Sequence, residues 1–301
     1  MDGCISHIQR FSLHDGPGVR TTVFFIGCPM RCFWCHNPET WEAVPSLAYT
    51  AGKCLHCLDC TRACHTGALS ETPDNRLAWA PSGCTRCFKC SGECPAGALV
   101  VNGYFIGAAE LVKELEQDIG MYAKTGGGVT FSGGEPTIQS GFLRELLISC
   151  KERGMSAAID TCGLCDGDLF VDICKLADIV LFDLKHMDDE QHRRLTGTSN
   201  QEVLMNARRL AGIGARIHIR VPIVPGYNDS EANIDDTIQF IASLGNVESV
   251  TFLGYHKLGL AKINCFFRQA DPGVKLPERE NMRAICQRMK AAAPDIPASY
   301  R

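Results

Sequence analysis

The sequence has little that would mark a secreted, membrane-bound or nucleic-acid-binding protein. Its 30 Lys and Arg residues nearly balance 34 Asp and Glu residues, for a net charge of −4, which argues against a surface built to bind a polyanion. No apolar run approaches the roughly 20 residues that cross a bilayer. Asp2, His7 and Arg10 interrupt the segment where a signal peptide would need an apolar core. We therefore expect a soluble cytoplasmic protein with no membrane or nucleic-acid partner.

Cysteine is what the chain has in excess, with 18 among 301 residues. Disulfide scaffolds are normally short, with cysteines spread along the chain, whereas eleven of these 18 lie between Cys28 and Cys94 in repeated short spacings. Metal ligation is therefore the favoured interpretation. Most of the others fit small buried apolar residues, although Cys162 and Cys165 have the C-x2-C spacing of a redox pair.

Residues 46–103 contain a duplicated cysteine motif. Each copy has the C-x2-C-x2-C-x3-C spacing of bacterial ferredoxins, in which the fourth cysteine ligates the cluster of the other copy. Two zinc sites are the alternative, because four thiolates also suit tetrahedral zinc, although zinc ribbons use separated C-x2-C pairs. We favour two [4Fe–4S] clusters, one held by Cys54, Cys57, Cys60 and Cys94 and the other by Cys84, Cys87, Cys90 and Cys64.

The flanks of this block, residues 1–45 and 104–301, alternate short apolar runs with stretches of helical periodicity. The runs predict strands at 21–26, 128–132, 156–160, 179–183, 216–221 and 249–253, and the periodic stretches predict helices near 107–119, 140–153, 167–176, 200–212, 231–244 and 278–291. This alternation implies parallel β/α units, in an open doubly wound sheet or a partial barrel. In both folds the functional groups lie at the carboxyl ends of the strands.

Two motifs fall at such strand ends. Cys28, Cys32 and Cys35 follow the first strand with C-x3-C-x2-C spacing, and three thiolates leave one iron of a [4Fe–4S] cube open to another ligand. The segment 132–136, Ser-Gly-Gly-Glu-Pro, follows the second strand. Its glycines allow a close backbone approach and its carboxylate can accept hydrogen bonds from an ammonium group. A structural metal site and a simple turn are the plainer alternatives.

Together these motifs resemble the radical S-adenosylmethionine (radical SAM) superfamily, whose open iron binds the amino and carboxylate groups of SAM. Further segments resemble the activating enzymes of glycyl radical enzymes, over residues 1–45 and 104–290. These segments are residues 14–22, 36–41, 159–161, 182–185, 220–222, 225–226 and 255–259. The resemblance implies a partial (β/α)6 barrel with an inserted ferredoxin-like domain that carries two [4Fe–4S] clusters.

The resemblance also implies an activity. One electron would cleave SAM at the three-cysteine cluster, and the resulting 5′-deoxyadenosyl radical would take a hydrogen atom from a backbone glycine in the C-terminal loop of a partner enzyme. Flavodoxin or ferredoxin would supply the electron, and the chain would be a monomer with three [4Fe–4S] clusters.

The resemblance assigns roles to single residues. Cys28, Cys32 and Cys35 would hold the catalytic cluster, with Trp34 bordering the adenine. The SAM amino group would bind Glu135, with Gly133 and Gly134. The remaining expected site residues are Asp160 and Lys185 as SAM contacts, Asp160 and Asp183 around a Na⁺ or K⁺ ion, Arg220 and His256 lining the site, and Asp15 and Arg20 seating the glycine loop.

Two other functions compete with this one. A different radical SAM enzyme would act on a small molecule or on RNA, although the chain has no basic excess that favours RNA. A plain electron-transfer protein would need the ferredoxin-like block but not the Gly-Gly-Glu motif, so SAM binding separates the two.

Overall fold

The computed structural model describes residues 1–267 and 273–301. Its strands are β1 (Asp2–Ser12), β2 (Arg20–Phe25), β3 (Ser46–Tyr49), β4 (Leu69–Glu71), β5 (Leu77–Trp79), β6 (Leu99–Asn102), β7 (Tyr104–Gly107), β8 (Gly128–Gly133), β9 (Ala157–Thr161), β10 (Ile179–Asp183), β11 (Ile217–Ile223), β12 (Val247–Gly254) and β13 (Ala298–Tyr300). Its α-helices are α1 (Asp59–Arg62), α2 (Lys89–Gly92), α3 (Ala108–Glu116), α4 (Ile119–Thr125), α5 (Ser140–Glu152), α6 (Gly167–Cys174), α7 (Asp189–Thr196), α8 (Gln201–Gly212), α9 (Glu231–Ser243), α10 (Leu258–Cys265) and α11 (Arg279–Ala292).

The main sheet has the strand order β13-β12-β11-β10-β9-β8-β2-β1-β7. Every pair from β2 through β8 to β13 is parallel, and β1 and β7 add an antiparallel edge. The six predicted strands correspond to β2, β8, β9, β10, β11 and β12, so the predicted parallel α/β architecture is confirmed. Because the order does not close on itself, the sheet is a partial barrel with an open side.

Alternating burial explains why these segments form this sheet. Along β11, Ile217, Ile219 and Val221 are buried against the helices, whereas His218 and Arg220 face the barrel interior and are half-buried. This period of two places one set of side chains in the core and the other around the functional cavity. The helices cover the outer face, as α5 does with a continuous apolar stripe of Phe142, Leu143, Leu146 and Leu147.

The cysteine block forms a small module with its own apolar cluster. Its ends meet because β3 and β6 pair antiparallel, with Ser46 opposite Asn102, close to the expected limits of 46 and 103. The ring of Phe267, which follows α10, lies 5.8 Å from the rings of Tyr49 and Trp79 in the module. This aromatic contact joins the module to the segment after β12. In the described part of the chain, no helix is long and apolar enough to cross a membrane.

Candidate active site

A cavity of about 380 Å³ lies at the carboxyl ends of the parallel strands. The structure brings most of the predicted site residues together around it, although they come from six different strands and loops. Those that line it are Asp15, Cys28, Cys32, Trp34, Cys35, Gly133, Gly134, Asp160, Asp183, Lys185 and Arg220. One cavity is therefore shared by the three-cysteine loop, the Gly-Gly-Glu loop and the charged strand ends.

The backbone of the three-cysteine loop is held by other parts of the chain, so its thiols do not fix the loop themselves. The Cys28 amide donates to the carbonyl of Trp41 at 3.3 Å, and the Arg31 amide donates to the carbonyl of Thr196, at the end of α7, at 2.7 Å. The Arg31 side chain also donates to the carbonyl of Cys28. These bonds position the loop before any ligand binds.

The three thiols suit an iron–sulfur cluster. Burial raises the pKa of both Cys28 and Cys35 to about 12, so a thiolate in this place needs a bound cation to stabilise it. The Asn37 amide points at the Cys35 sulfur, with N and Sγ 3.4 Å apart. Since all three thiols are free and face one cavity, the donor set fits a cube with one open iron.

The two glycines of the Gly-Gly-Glu motif let β8 approach the cysteine loop closely. The Gly134 amide donates to the carbonyl of Phe25 at 2.9 Å. A Cβ on Gly134 would lie 2.2 Å from the carbonyl oxygen of Gly27, and Gly133 has a φ of +110°. Neither position tolerates a side chain, so the glycines expose bare backbone to the cavity beside Cys28.

Glu135 lies behind the cavity wall instead of in it. Its buried carboxylate accepts hydrogen bonds from the amide and hydroxyl of Thr137 at 3.1 and 2.7 Å, from the hydroxyl of Thr161 at 2.8 Å, and from the amide of Cys162 at 2.7 Å. The carboxylate thereby ties the loop after β8 to the end of β9. The expected contact between Glu135 and the SAM amino group stays a prediction.

A buried ion-pair network forms the opposite wall. The Arg220 guanidinium bridges Asp160 and Asp183, donating from Nε to Oδ1 of Asp183 at 2.9 Å, and Lys185 donates to Oδ2 of Asp183 at 3.0 Å. Burial raises the pKa of Asp160 to about 6, although Arg220 opposes this. Burial also disfavours the Asp183 carboxylate, but Arg220 and Lys185 outweigh it and lower the pKa of Asp183.

Arg220 thus lies between the two carboxylates that are expected to hold a monovalent cation. The cation stays a prediction. Ser132, whose hydroxyl donates to Asp160 at 2.6 Å, completes the hydrogen bonding of this wall. The sequence could have pointed to Ser132, because it is the first residue of the segment 132–136 that contains the Gly-Gly-Glu motif.

Arg20 is apart from the other predicted site residues. It begins β2 and therefore lies at the amino end of the sheet, fully buried, where it donates to the hydroxyl of Thr130 at 2.7 Å and to the carbonyl of Val129 at 2.6 Å. Asp15 does line the cavity and accepts a hydrogen bond from the hydroxyl of Thr22 at 2.7 Å. The hydrogen bonds of Arg20 join β2 to β8, and its expected role in seating the glycine loop stays a prediction.

His256 lies at the rim of the cavity. Its exposed ring stacks on His36, with ring centroids 3.7 Å apart, and it is His36 and Tyr255 that line the cavity. Burial lowers the pKa of His36 to about 4. The sequence motif 36–41 had indicated the segment but not that His36 would lie between His256 and the cavity.

Each predicted cysteine set in the module surrounds its own cavity. Cys54, Cys57, Cys60 and Cys94 line one, and Cys64, Cys84, Cys87 and Cys90 line the other. The two copies also share backbone geometry, because His56 and Leu58 have φ values of 55° and 59° and Arg86 and Phe88 both have 54°.

Equivalent amides point at cysteine sulfurs in the two copies. The His56 amide donates to Cys54 at 3.4 Å and the Arg86 amide donates to Cys84 at 3.3 Å. In the described ranges, no three His, Cys, Asp or Glu side chains lie as close together as a single metal ion requires. The four thiols of each set instead line a space between them.

Comparison with known proteins agrees with this site. The family model described as "Radical SAM superfamily" matches residues 22–241. The isethionate sulfite-lyase activating enzyme of Nitratidesulfovibrio vulgaris is 38% identical over 289 residues, which are 94% of each chain. The trans-4-hydroxy-L-proline dehydratase activating enzyme of Clostridioides difficile is 36% identical over 97% of each chain.

A solved structure shows the same relationship. A domain of the pyruvate-formate lyase-activating enzyme from Bacteroides vulgatus is 29% identical, with a TM-score of 0.50, over 58% of this chain and 99% of that one. The chain therefore belongs to the radical SAM superfamily and, within it, to the activating enzymes of glycyl radical enzymes. The resemblance, the partial barrel and the activase class predicted from the sequence are confirmed. The family implies a [4Fe–4S] cluster, SAM and a glycyl radical enzyme as the partner.

Proposed function

We propose that Cys28, Cys32 and Cys35 hold the catalytic [4Fe–4S] cluster and that the neighbouring cavity binds SAM and admits the partner's glycine. The observation that carries the proposal is the meeting of the three thiols, the bare backbone of Gly133 and Gly134, and the buried charge network around one cavity. When bound, the cluster and SAM supply the one-electron chemistry that removes a hydrogen atom from the glycine.

The protein's own groups would position SAM by charge and shape. The Gly133 and Gly134 backbone and the Asp160 carboxylate offer acceptors to an ammonium group. Lys185 and Arg220 offer donors to a carboxylate. Both cations are already fixed by Asp183 at about 3 Å, so little reorganisation is needed when the ligand binds.

The walls would also exclude water from the reacting atoms. Trp34 is 6% exposed and lies in the main apolar core while it lines the cavity, and Met30 is 1% exposed. A dry cavity protects a reactive carbon radical from side reactions. His256 would cover the rim through its stack on His36.

Several finer features belong to the same proposal. The module would carry two more [4Fe–4S] clusters, and flavodoxin or ferredoxin would deliver the electron. The enzyme would act as a monomer in the cytoplasm, where reducing conditions keep thiols available for metal binding. A Na⁺ or K⁺ ion would bind at Asp160 and Asp183 if Arg220 moves toward the SAM carboxylate.

The decisive test is radical transfer to the partner. The enzyme, SAM and dithionite are incubated anaerobically with a candidate glycyl radical enzyme, identified by a C-terminal Arg-Val-Ser/Cys-Gly-Tyr/Phe loop. We expect a long-lived glycine-centred EPR doublet on the partner, which disappears when that loop glycine is replaced by alanine. SAM cleavage with consumption of a small molecule, and no radical on the partner, would contradict the activase mechanism.

A second prediction concerns the module. If its clusters relay electrons, replacing Cys57 and Cys87 with alanine should remove most of the activation supported by reduced flavodoxin. SAM cleavage supported by dithionite should be largely kept, because a small reductant can reach the catalytic cluster directly. The measurement is 5′-deoxyadenosine formed with each donor. Equal losses with both donors would mean that the module is structural or serves in docking.

A further inference from the structure

Phe11 combines two unfavourable features on the surface of the barrel. It adopts a left-handed backbone conformation with a φ of 59°, and its side chain is 68% exposed. It lies in a β-bulge, because Gln9 pairs with Thr22 and Ser12 pairs with Arg20, so three steps on β1 match two on β2. Glycine is the usual residue at such a position. A bulky aromatic there strains the backbone and exposes apolar surface, and this combination points to a role outside folding.

The same segment forms the wall between two cavities. Leu13, which is 64% exposed, and His14 line both the site cavity and a second cavity of about 270 Å³. Arg220 is the third residue that the two cavities share.

Polar residues line part of the second cavity, among them His218, Thr251, Ser299 and Arg301. The ring nitrogens of His218 already pair with Glu248 and Ser249, whereas the hydroxyls of Thr251 and Ser299 lie 3.4 Å apart. The Arg301 guanidinium also donates to the carbonyl of His14 at 2.9 Å, so it connects the strand edge at β13 with the loop after β1. Donors spaced along a groove suit the carbonyl groups of an extended peptide.

We propose that Phe11 and Leu13, together with the second cavity, form the docking surface for the partner segment that flanks the target glycine. This inference rests on the proposed function and specifies how the partner is recognised. The residues that flank the target glycine must lie against a surface that leads into the site cavity. The segment after β1 is such a surface, because Leu13 and His14 line both the second cavity and the site cavity. The two exposed apolar side chains would contact side chains of that segment, and the donors of the second cavity would bind its backbone.

The experiment compares Phe11→Ala and Phe11→Gly with Phe105→Ala. Phe105 is a matched control because it is 64% exposed and lies on β7, away from both cavities. We expect the two Phe11 variants to raise the apparent KM for the partner about tenfold or more, as the loss of an aromatic hot spot does. SAM cleavage without the partner should stay within about twofold of the unmodified enzyme. The melting temperature of Phe11→Gly should equal or exceed that of the unmodified enzyme, because glycine adopts this φ without strain.

Binding of the partner by reconstituted enzyme with SAM and no reductant, followed by biolayer interferometry, decides the docking proposal even if no radical forms. Weaker binding by the Phe11 variants and by Leu13→Ala, but not by Phe105→Ala, supports it. Unchanged binding by all of them overturns it. It is also overturned if the Phe11 variants lose SAM cleavage in proportion to partner activation, since Phe11 would then act only through folding.

Discussion

Replacing Cys28, Cys32 and Cys35 together with alanine is expected to remove about four of roughly 12 irons per chain after anaerobic reconstitution, and to abolish SAM cleavage. The remaining iron would stay in the module, whose eight cysteines line two separate cavities. The loop itself should persist, because its backbone is anchored at Trp41 and Thr196 and not through the thiols. Iron and sulfide analysis, with 5′-deoxyadenosine measured by chromatography, gives both results.

A triple variant at three other buried cysteines provides the control. Cys4, Cys150 and Cys286 are 2%, 0% and 5% exposed and line none of the three cysteine cavities. Their replacement by alanine should leave the iron content and SAM cleavage near those of the unmodified enzyme. Full iron retention in the Cys28, Cys32 and Cys35 variant, or zinc in place of iron, would contradict the assignment of the catalytic cluster.

The parallel part of the fold could be predicted because its signals are local. Each of the six central strands is a short apolar run, and helices with an apolar stripe, such as α5 and α6, lie between most of them. Two of the strands that sequence analysis missed, β7 and β13, have weaker patterns. Strand β13 has only three residues, and β7 exposes Tyr104 and Phe105, so neither shows a buried run. Helix α7 was missed because its eight residues include five charged or amide side chains and little apolar periodicity.

The membership of the site was also predictable, since carboxyl ends of parallel strands meet at one edge of the sheet. The orientation of individual groups was not. Glu135 directly follows two glycines that line the cavity, yet its carboxylate turns away toward Thr137 and Thr161. Which side of the wall a carboxylate occupies depends on donors that lie 26 residues away along the chain, and no local pattern contains that information.

Arg20 shows a different limit of motif reasoning. It belongs to the same short motif as Asp15, but Arg20 starts β2 while the cysteines follow the end of that strand. A strand of six residues separates its ends by about 17 Å at 3.3 Å per residue. The motif therefore groups Arg20 with Asp15, and the direction of the strand places Arg20 at the end of β2 that lies away from the cysteines.

Replacing Arg220 with methionine should destabilise the protein more than any other single change in the site. The substitution removes the cation that bridges Asp160 and Asp183, whose side chains are 11% and 21% exposed. Breaking a buried ion pair by removing one partner costs about 3–5 kcal/mol, because the other charge stays buried without compensation. Lys185 still pairs with Asp183, so the penalty falls mainly on Asp160.

Arg216→Met, directly before the same strand, is the matched control. Arg216 is 55% exposed and pairs with Glu248 at 2.6 Å, and an exposed pair contributes only about 0–1 kcal/mol. In urea unfolding, the loss of unfolding free energy should therefore be several times larger for Arg220→Met than for Arg216→Met. The double variant Arg220→Met with Asp160→Asn should recover part of the loss, because the uncompensated carboxylate is gone. Equal losses for Arg220→Met and Arg216→Met, or no recovery in the double variant, would show that the wall of the site is held by something other than this network.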